Sequence, residues 1–192
     1  VVYDTKAYAT DDRDVKKKAY VYLPYGYSEE KEYNILYLMH GTGDDEKYWL
    51  KTNPYNKTML DNMIANGDIE PLIVVTPTFY VEDDCADDLD QLTYSFAKEL
   101  RNDLMPEIES SYSTYAKSAD DEGFSQSRDH RAFAGLSRGA VTMYHSALCQ
   151  SLDYFSWFGA FSGSRTDTNA FEDTIQTGDF AELPIHYLYV AS

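Results

Sequence analysis

At 192 residues, with 43% hydrophobic and 15% aromatic content, the chain has the apolar material for one sizeable core and too much of it for a disordered segment. Acidic residues number 33 against 16 basic ones, and the net charge of −17 repels nucleic acid and anionic membranes, which disfavours both as partners. No apolar run approaches the roughly 18 residues that span a bilayer, and the N-terminal stretch lacks the apolar segment of a secretory signal. A signal already removed would leave the same sequence, so localisation stays open at this level.

In chain order, "KKAYVYLPYGY" alternates around Ala19, Val21 and Leu23 and ends in a turn, which predicts a strand. "YNILYLMHG" is a short apolar run stopped by His40-Gly41. Asn53 before Pro54 signals a helix start; Met59, Met63 and Ile64 then share one face, and Gly67 ends the helix. "PLIVVTPTFY" is a β-branched strand stopped by Pro77. Leu89, Leu92, Phe96, Leu100 and Leu104 are spaced for a long helix that Pro106 is expected to kink. "STYAKSADDEGFSQSRD" reads as a polar loop. "HRAFAGLS" is a strand, "RGAVTMYHSALCQ" a helix, "YFSWFGAFSG" a buried strand, "DTNAFEDTIQTGDF" a short helix and "LPIHYLYVAS" a last strand. Apolar strands alternating with helices predict an α/β fold, a mostly parallel sheet covered on both faces. Residues 1–192 read as a single domain, without a linker, repeat or low-complexity tract.

The two cysteines, Cys85 and Cys149, form no zinc-ligand pattern, and whether they pair is not readable from their spacing. No metal or cofactor motif is present. Asn56-Lys57-Thr58 is a glycosylation sequon with meaning only in a eukaryotic secretory pathway.

The stretch with chemistry is Gly135-Leu136-Ser137-Arg138-Gly139, a G-x-S-x-G with a strand before it and a helix after it. That context suits a nucleophile elbow: the serine sits in a strained turn, and a side chain at either glycine would strike the neighbouring strand or helix. The plainer alternative is an ordinary strand-to-helix turn with a capping serine. An oxyanion hole needs the backbone N–H after the nucleophile and another from the loop after an earlier central strand. Arg138 is placed for the first, and His40-Gly41-Thr42-Gly43 for the second, with Thr42 as the donor. The glycines of that loop can equally make a simple turn. The Arg138 side chain can reach substrate or pair with one of the many carboxylates.

With those residues in view, "NILYLMHGTGDDEKYW", "VVTPTFY", "ELRNDLMPEIESSYSTYA", "SRDHRAFAGLSRGAVTMY" and "LDYFSWFGAFSG" resemble carbohydrate esterase family 1. Within it the sequence is most similar to the feruloyl esterases attached to microbial xylanases and other plant-wall enzymes. The resemblance implies the α/β-hydrolase fold and a secreted serine esterase without cofactor, releasing ferulate and related hydroxycinnamates from feruloylated arabinoxylan. It implies a module joined to carbohydrate-active or cellulosomal partners. Ser137 matches the family nucleophile, Thr42 and Arg138 the oxyanion donors, and His40 and Gly41 their support. Trp49 and Tyr80, in the loops at the strand ends, are candidates for stacking on a phenolic ring or sugar, or else plain core or surface aromatics.

The other two members of the expected triad do not fall into place. In this fold the order is Ser, acid, His, and family members carry the acid just beyond the strand matching "IHYLYVA" and the histidine later still. Both are therefore expected beyond Ser192, and the sequence reads as incomplete at its C-terminal end. His130 starts the strand that leads to the elbow, about 20 Å from Ser137 at about 3.3 Å per residue. His186 starts another strand, and His145 lies about 12 Å down the following helix at 1.5 Å per residue. His40 alone stands at the right end of the sheet. Asp167, Asp173 and Asp179 follow the serine but have no histidine to serve. An acetylxylan or other small-acyl esterase, and a non-catalytic carbohydrate-binding homologue, remain as alternatives.

Overall fold

The computed structural model describes residues 1–81, 88–163 and 168–192, with side-chain detail in the last stretch from residue 171. Cys85 and Asp167 lie outside the described residues. The chain opens with an antiparallel ribbon in which β1 (Val2–Lys6) pairs with β2 (Asp14–Lys18). The sequence reading passed over β1, because its inward positions are only Tyr3 and Thr5 between charged neighbours.

A six-stranded sheet follows, in the order β3 (Tyr20–Tyr22), β5 (Leu72–Thr76), β4 (Asn34–Met39), β6 (Arg131–Leu136), β7 (Trp157–Phe161), β8 (Tyr187–Ala191). β3 runs antiparallel to β5 and every other pair is parallel. Parallel neighbours require crossovers, which helices supply. α1 (Tyr55–Asn66) links β4 to β5; α2 (Leu89–Glu99), α3 (Met105–Ser111) and α4 (Asp121–Gln126) link β5 to β6. α5 (Arg138–Thr142) and α6 (Cys149–Ser151) link β6 to β7, and α7 (Thr168–Gln176) links β7 to β8. This is the sheet expected of an α/β-hydrolase.

Alternation along the strands divides the core. Ile35, Tyr37, Met39, Ile73, Val75 and Phe133 face the larger layer, against Leu92, Phe96, Leu100, Leu104, Ile108 and Met143. Each such side chain, once fully buried, contributes about 1.5–3 kcal/mol. Leu36, Leu38 and Val74 face the other way, toward Leu60 and Ile64 of α1. The expected face of α1 holds in part: Ile64 packs inward, but Met59 is exposed and Leu60 packs beside Ile64, and no α1 residue is fully buried. Its N-cap is Pro54, without a side-chain cap, while the Asn53 amide donates to Tyr48 O at 2.9 Å. The expected stop at Gly67 is present, in the left-handed conformation at φ 76°. Asn56 of the sequon donates its amide to Trp49 O at 2.9 Å.

At Pro106 the long helix departs from regular α-geometry rather than running through unbroken. Proline offers no N–H to the preceding turn, and Leu100–Leu104 just before it adopt a π-helical turn that joins α2 to α3. The stretch read as a polar loop contains α4, capped by the Asp120 carboxylate accepting from Gly123 N at 2.9 Å and anchored by the buried Phe124. At the foot of β6, Arg131 is 1% exposed and uses all five of its donors. Nε and Nη2 grip the Glu109 carboxylate at 2.8 Å each, Nη1 donates to Phe124 O and Tyr154 O, and Nη2 also reaches Ser127 Oγ. This network fixes the strand that leads to Ser137. At the far edge of the sheet, Tyr187, Tyr189 and Val190 of β8 are exposed.

Candidate active site

Ser137 stands at the end of β6 and the start of α5, exposed, with φ 53° and ψ −113°. A non-glycine residue at positive φ costs on the order of 1–3 kcal/mol and persists where its surroundings over-determine it. Here the surroundings are three glycines. A Cβ on Gly135 would lie 2.2 Å from the Gly139 carbonyl carbon and oxygen. On Gly139 it would lie 2.5 Å from His40 O, and on Gly163 2.3 Å from Ser137 O. The first two are the glycines of the motif. Gly163, in the turn after β7, was missed; its only sequence signal is the "FSG" that ends a buried strand.

The turn is also held by its backbone. Ser137 N–H donates to Phe161 O at 2.7 Å, and Ser137 O accepts from Ala140 N at 2.9 Å. Ser162, just after β7, has φ 53° as well, and its N–H donates to Ala191 O at 2.7 Å. The Arg138 side chain is half-buried in an ion pair with Asp90, in the first turn of α2. Of the two roles open to that guanidinium, the structure shows the pairing.

Strand register brings the second loop alongside. Met39 sits opposite Gly135, so His40 and Gly41 leave β4 beside Leu136 and Ser137. A Cβ on Gly41 would meet Leu136 O at 3.3 Å and Ser137 Cβ at 3.5 Å. The chain then turns at Gly43, φ +85°, and Asp44 N closes the turn on Gly41 O at 3.3 Å. Gly43 N–H donates to the Tyr80 hydroxyl at 3.1 Å. Among the described residues, neither the Thr42 N–H nor the Arg138 N–H has a hydrogen-bond acceptor. Thr42 is exposed and Arg138 opens a helix, where N–H groups are free to bind an anion.

The histidines are placed as follows. The His40 ring is fully buried and both nitrogens are engaged, Nδ1 with Gly41 O and Nε2 with Thr78 Oγ1, each at 2.7 Å. Burial holds its pKa below the usual imidazole range, against the opposing pull of Gly41 O, Asp44, Asp45 and Glu46. His130 precedes β6, bonded to Asn34 and stacked on Tyr115. His145 stacks on Tyr94 along the helix after the elbow. His186 precedes β8, near Asp129 and Trp157. None of the four ring contacts is with Ser137. Asp173 and Asp179 lie in and just after α7.

Of the two aromatic candidates, Trp49 donates its indole N–H to Met39 O at 3.2 Å and lines an apolar cavity of about 360 Å³ with Leu38, Leu60 and Phe161. Tyr80 stacks on His40 at 5.6 Å between centroids while holding Gly43. Among the described residues no cluster of His, Cys, Asp and Glu could hold a metal ion, and no helix is long and apolar enough to cross a membrane.

The family model described as "Putative esterase" matches residues 13–182. The endo-1,4-β-xylanase Y of Acetivibrio thermocellus is 41% identical over 157 residues, 82% of this chain and 14% of that protein. An endo-1,4-β-xylanase/feruloyl esterase of Xylanibacter ruminicola is 33% identical over 151 residues, 76% of this chain and 19% of that protein. Among solved structures, a serine-to-alanine mutant of the feruloyl esterase module from Clostridium thermocellum, complexed with sinapinate, is 35% identical with a TM-score of 0.72. That match covers 91% of this chain and 60% of the solved one, so the chain spans only part of the length of each relative.

Proposed function

The chain belongs to the esterase family, and from that premise we propose that it is the greater part of a single serine-esterase module that hydrolyses carboxylic esters through an acyl-enzyme. The observation that carries this reading is Ser137, exposed at positive φ in a turn that three glycines leave no room to relax. In the proposed reaction a general base takes the Ser137 hydroxyl proton and Oγ bonds to the ester carbonyl carbon. The Thr42 and Arg138 N–H groups, supported by Gly41 and His40, hold the oxyanion. Collapse breaks the carbon–oxygen ester bond and the alcohol leaves with the proton; water then releases the acid by the same steps. His40 is committed to Gly41 and Thr78, and the other three rings are committed elsewhere. The contacts of these four rings assign none of them as the general base.

The proposed substrate is feruloylated arabinoxylan. The support is the feruloyl esterase in the names of a 33% identical relative and a 35% identical structure, the latter with sinapinate bound. The proposed setting is a secreted plant-wall enzyme that also carries xylanase modules; the support for the last point is the xylanase in the names of both relatives. Trp49 and Tyr80 are the proposed walls of the acyl site. The test is methyl ferulate hydrolysis by the full-length protein and by Ser137→Ala. Abolished hydrolysis is expected, and retention of most activity would overturn the assignment. Faster turnover of acetylated xylan than of methyl ferulate would point to a small-acyl esterase. Failure of a fluorophosphonate probe to label Ser137 would favour a non-catalytic carbohydrate-binding module.

A further inference from the structure

We infer that Thr78 is a positioning residue for the oxyanion loop, acting through the orientation of the His40 ring; the inference rests on the esterase reading of that loop. Gly41 O can only accept a hydrogen bond, so the proton of the buried ring is on Nδ1. A neutral imidazole then leaves Nε2 as an acceptor, and its partner Thr78 must donate. The same hydroxyl accepts from Tyr80 N–H at 3.1 Å. Thr78 Oγ1 therefore gives one bond and takes one, and its only proton points at the histidine.

The consequence reaches Thr42 through peptide geometry. In a planar trans peptide the C=O and the following N–H point in opposite directions, and no peptide among the described residues is cis. Drawing the Gly41 carbonyl onto His40 Nδ1 turns the Thr42 N–H away from the buried ring. The neighbouring Gly43 N–H is taken by the Tyr80 hydroxyl. Thr42 N–H is thus the loop donor left to face a substrate, and Thr78 sets its aim from two residues before the tyrosine that removes its competitor. Thr78 is itself braced, because its carbonyl accepts from the buried Lys17 ammonium at 2.7 Å. With valine at position 78, Nε2 and Tyr80 N–H lose their partner together. Gly41 O still favours the proton on Nδ1, but the ring has lost the bond that fixes its orientation, and its Nδ1–H no longer holds its aim on Gly41 O.

The experiment uses the full-length protein with Thr78→Val, Thr78→Ser and Ser137→Ala. Long-range proton–nitrogen NMR of the histidine rings, with solvent exchange of the ring proton, reads the tautomer and its hydrogen bond without reference to activity. An exchange-protected Nδ1–H is expected in the unsubstituted protein and in Thr78→Ser, and loss of that protection in Thr78→Val. Removing one oxyanion donor costs about 100- to 1,000-fold in kcat, so mis-aiming one in Thr78→Val is expected to lower kcat about 10- to 100-fold, with KM little changed and Thr78→Ser near the starting rate. An Nε2–H ring in the unsubstituted protein overturns the inference even if Thr78→Val does not fold. So does a Thr78→Val protein with its Nδ1–H protection and kcat intact, a loss confined to KM, or a Thr78→Ser as impaired as the valine. Retained hydrolysis in Ser137→Ala would instead sink the esterase reading, leaving the NMR result to decide the hold of Thr78 on His40.

Discussion

Gly139→Ala is the sharpest test of the packing at the elbow, because two effects of opposite sign compete there. Gly139 has no positive φ and lies within α5, so alanine should on backbone grounds stabilise by about 1 kcal/mol. Against this, its Cβ would stand 2.5 Å from His40 O and 2.7 Å from Met39 O. Ordinary contact begins near 3.4 Å, so helix and strand must separate by roughly 0.9 Å. Both contacts are backbone at the end of a central strand, with no flexible side chain to yield. Overpacking of this kind costs about 1–3 kcal/mol, and rigid neighbours place it at the upper end. The net expectation is a loss of about 1–2 kcal/mol, or about 2–8 °C in Tm for a chain of this size. Misplacement by about 1 Å also costs on the order of 100-fold in rate, so labelling of Ser137 by a fluorophosphonate should slow by a larger factor than stability alone predicts. Thermal denaturation followed by circular dichroism, with labelling kinetics at 25 °C, reads both. A Tm equal to or above that of the unsubstituted protein would refute the reasoning, since helix propensity would then have won and the approach of β4 to the elbow would be looser than described.

The buried Lys17–Glu99 pair, at 2.7 Å with Tyr3 OH also on Glu99, makes a second test. Lys17→Met strands the carboxylate and should cost about 3–5 kcal/mol at neutral pH, while Lys17→Met/Glu99→Leu should recover much of it. Burial already raises the Glu99 pKa. A carboxyl raised in the folded state contributes stability that is present below its unfolded pKa and lost as pH rises through the folded one. The gap between Lys17→Met and the unsubstituted protein in urea denaturation should therefore narrow toward pH 4; a constant gap would contradict the assignment. At Arg131 every guanidinium donor is used. Arg131→Lys keeps the charge but supplies three donors, and should cost roughly 2–5 kcal/mol by leaving buried acceptors unmet. A urea midpoint unchanged in Arg131→Lys would show that the network contributes little.

What could be read from the sequence was what is local. Gly135 and Gly139 lie within two residues of Ser137, so the steric demand of the turn is written beside it. Gly163 makes the same demand from 26 residues away, and only the pairing of Leu136 with Phe161 brings it there. The face of α1 is only partly legible, at Ile64 but not at Met59, because a helix that buries no residue fully imposes little pattern on its sequence. α4 was missed because one buried phenylalanine among charged residues carries no period. Arg138 was read with two roles open, and only the fold shows Asp90 waiting for it.

The site itself depends on an order of strands that composition and periodicity do not contain. β4 lies between β5, its successor, and β6, which follows much later. The chain therefore crosses from β4 to β5 on one side and then from β5 back past β4 to β6 on the other, and this reversal opens a crevice at the C-terminal strand ends, where open α/β sheets bind ligands. On one side of β4, Met39 opposite Gly135 sets the His40 loop against the elbow. On the other, Tyr37 opposite Val75 means that His40 and Thr78, each three residues on, leave the sheet together. His40 is thus the hinge between the two: its backbone approaches Ser137 and its ring answers to Thr78. The sequence shows a histidine and two glycines after a strand. The central position of that strand is what turns them into the wall of a site.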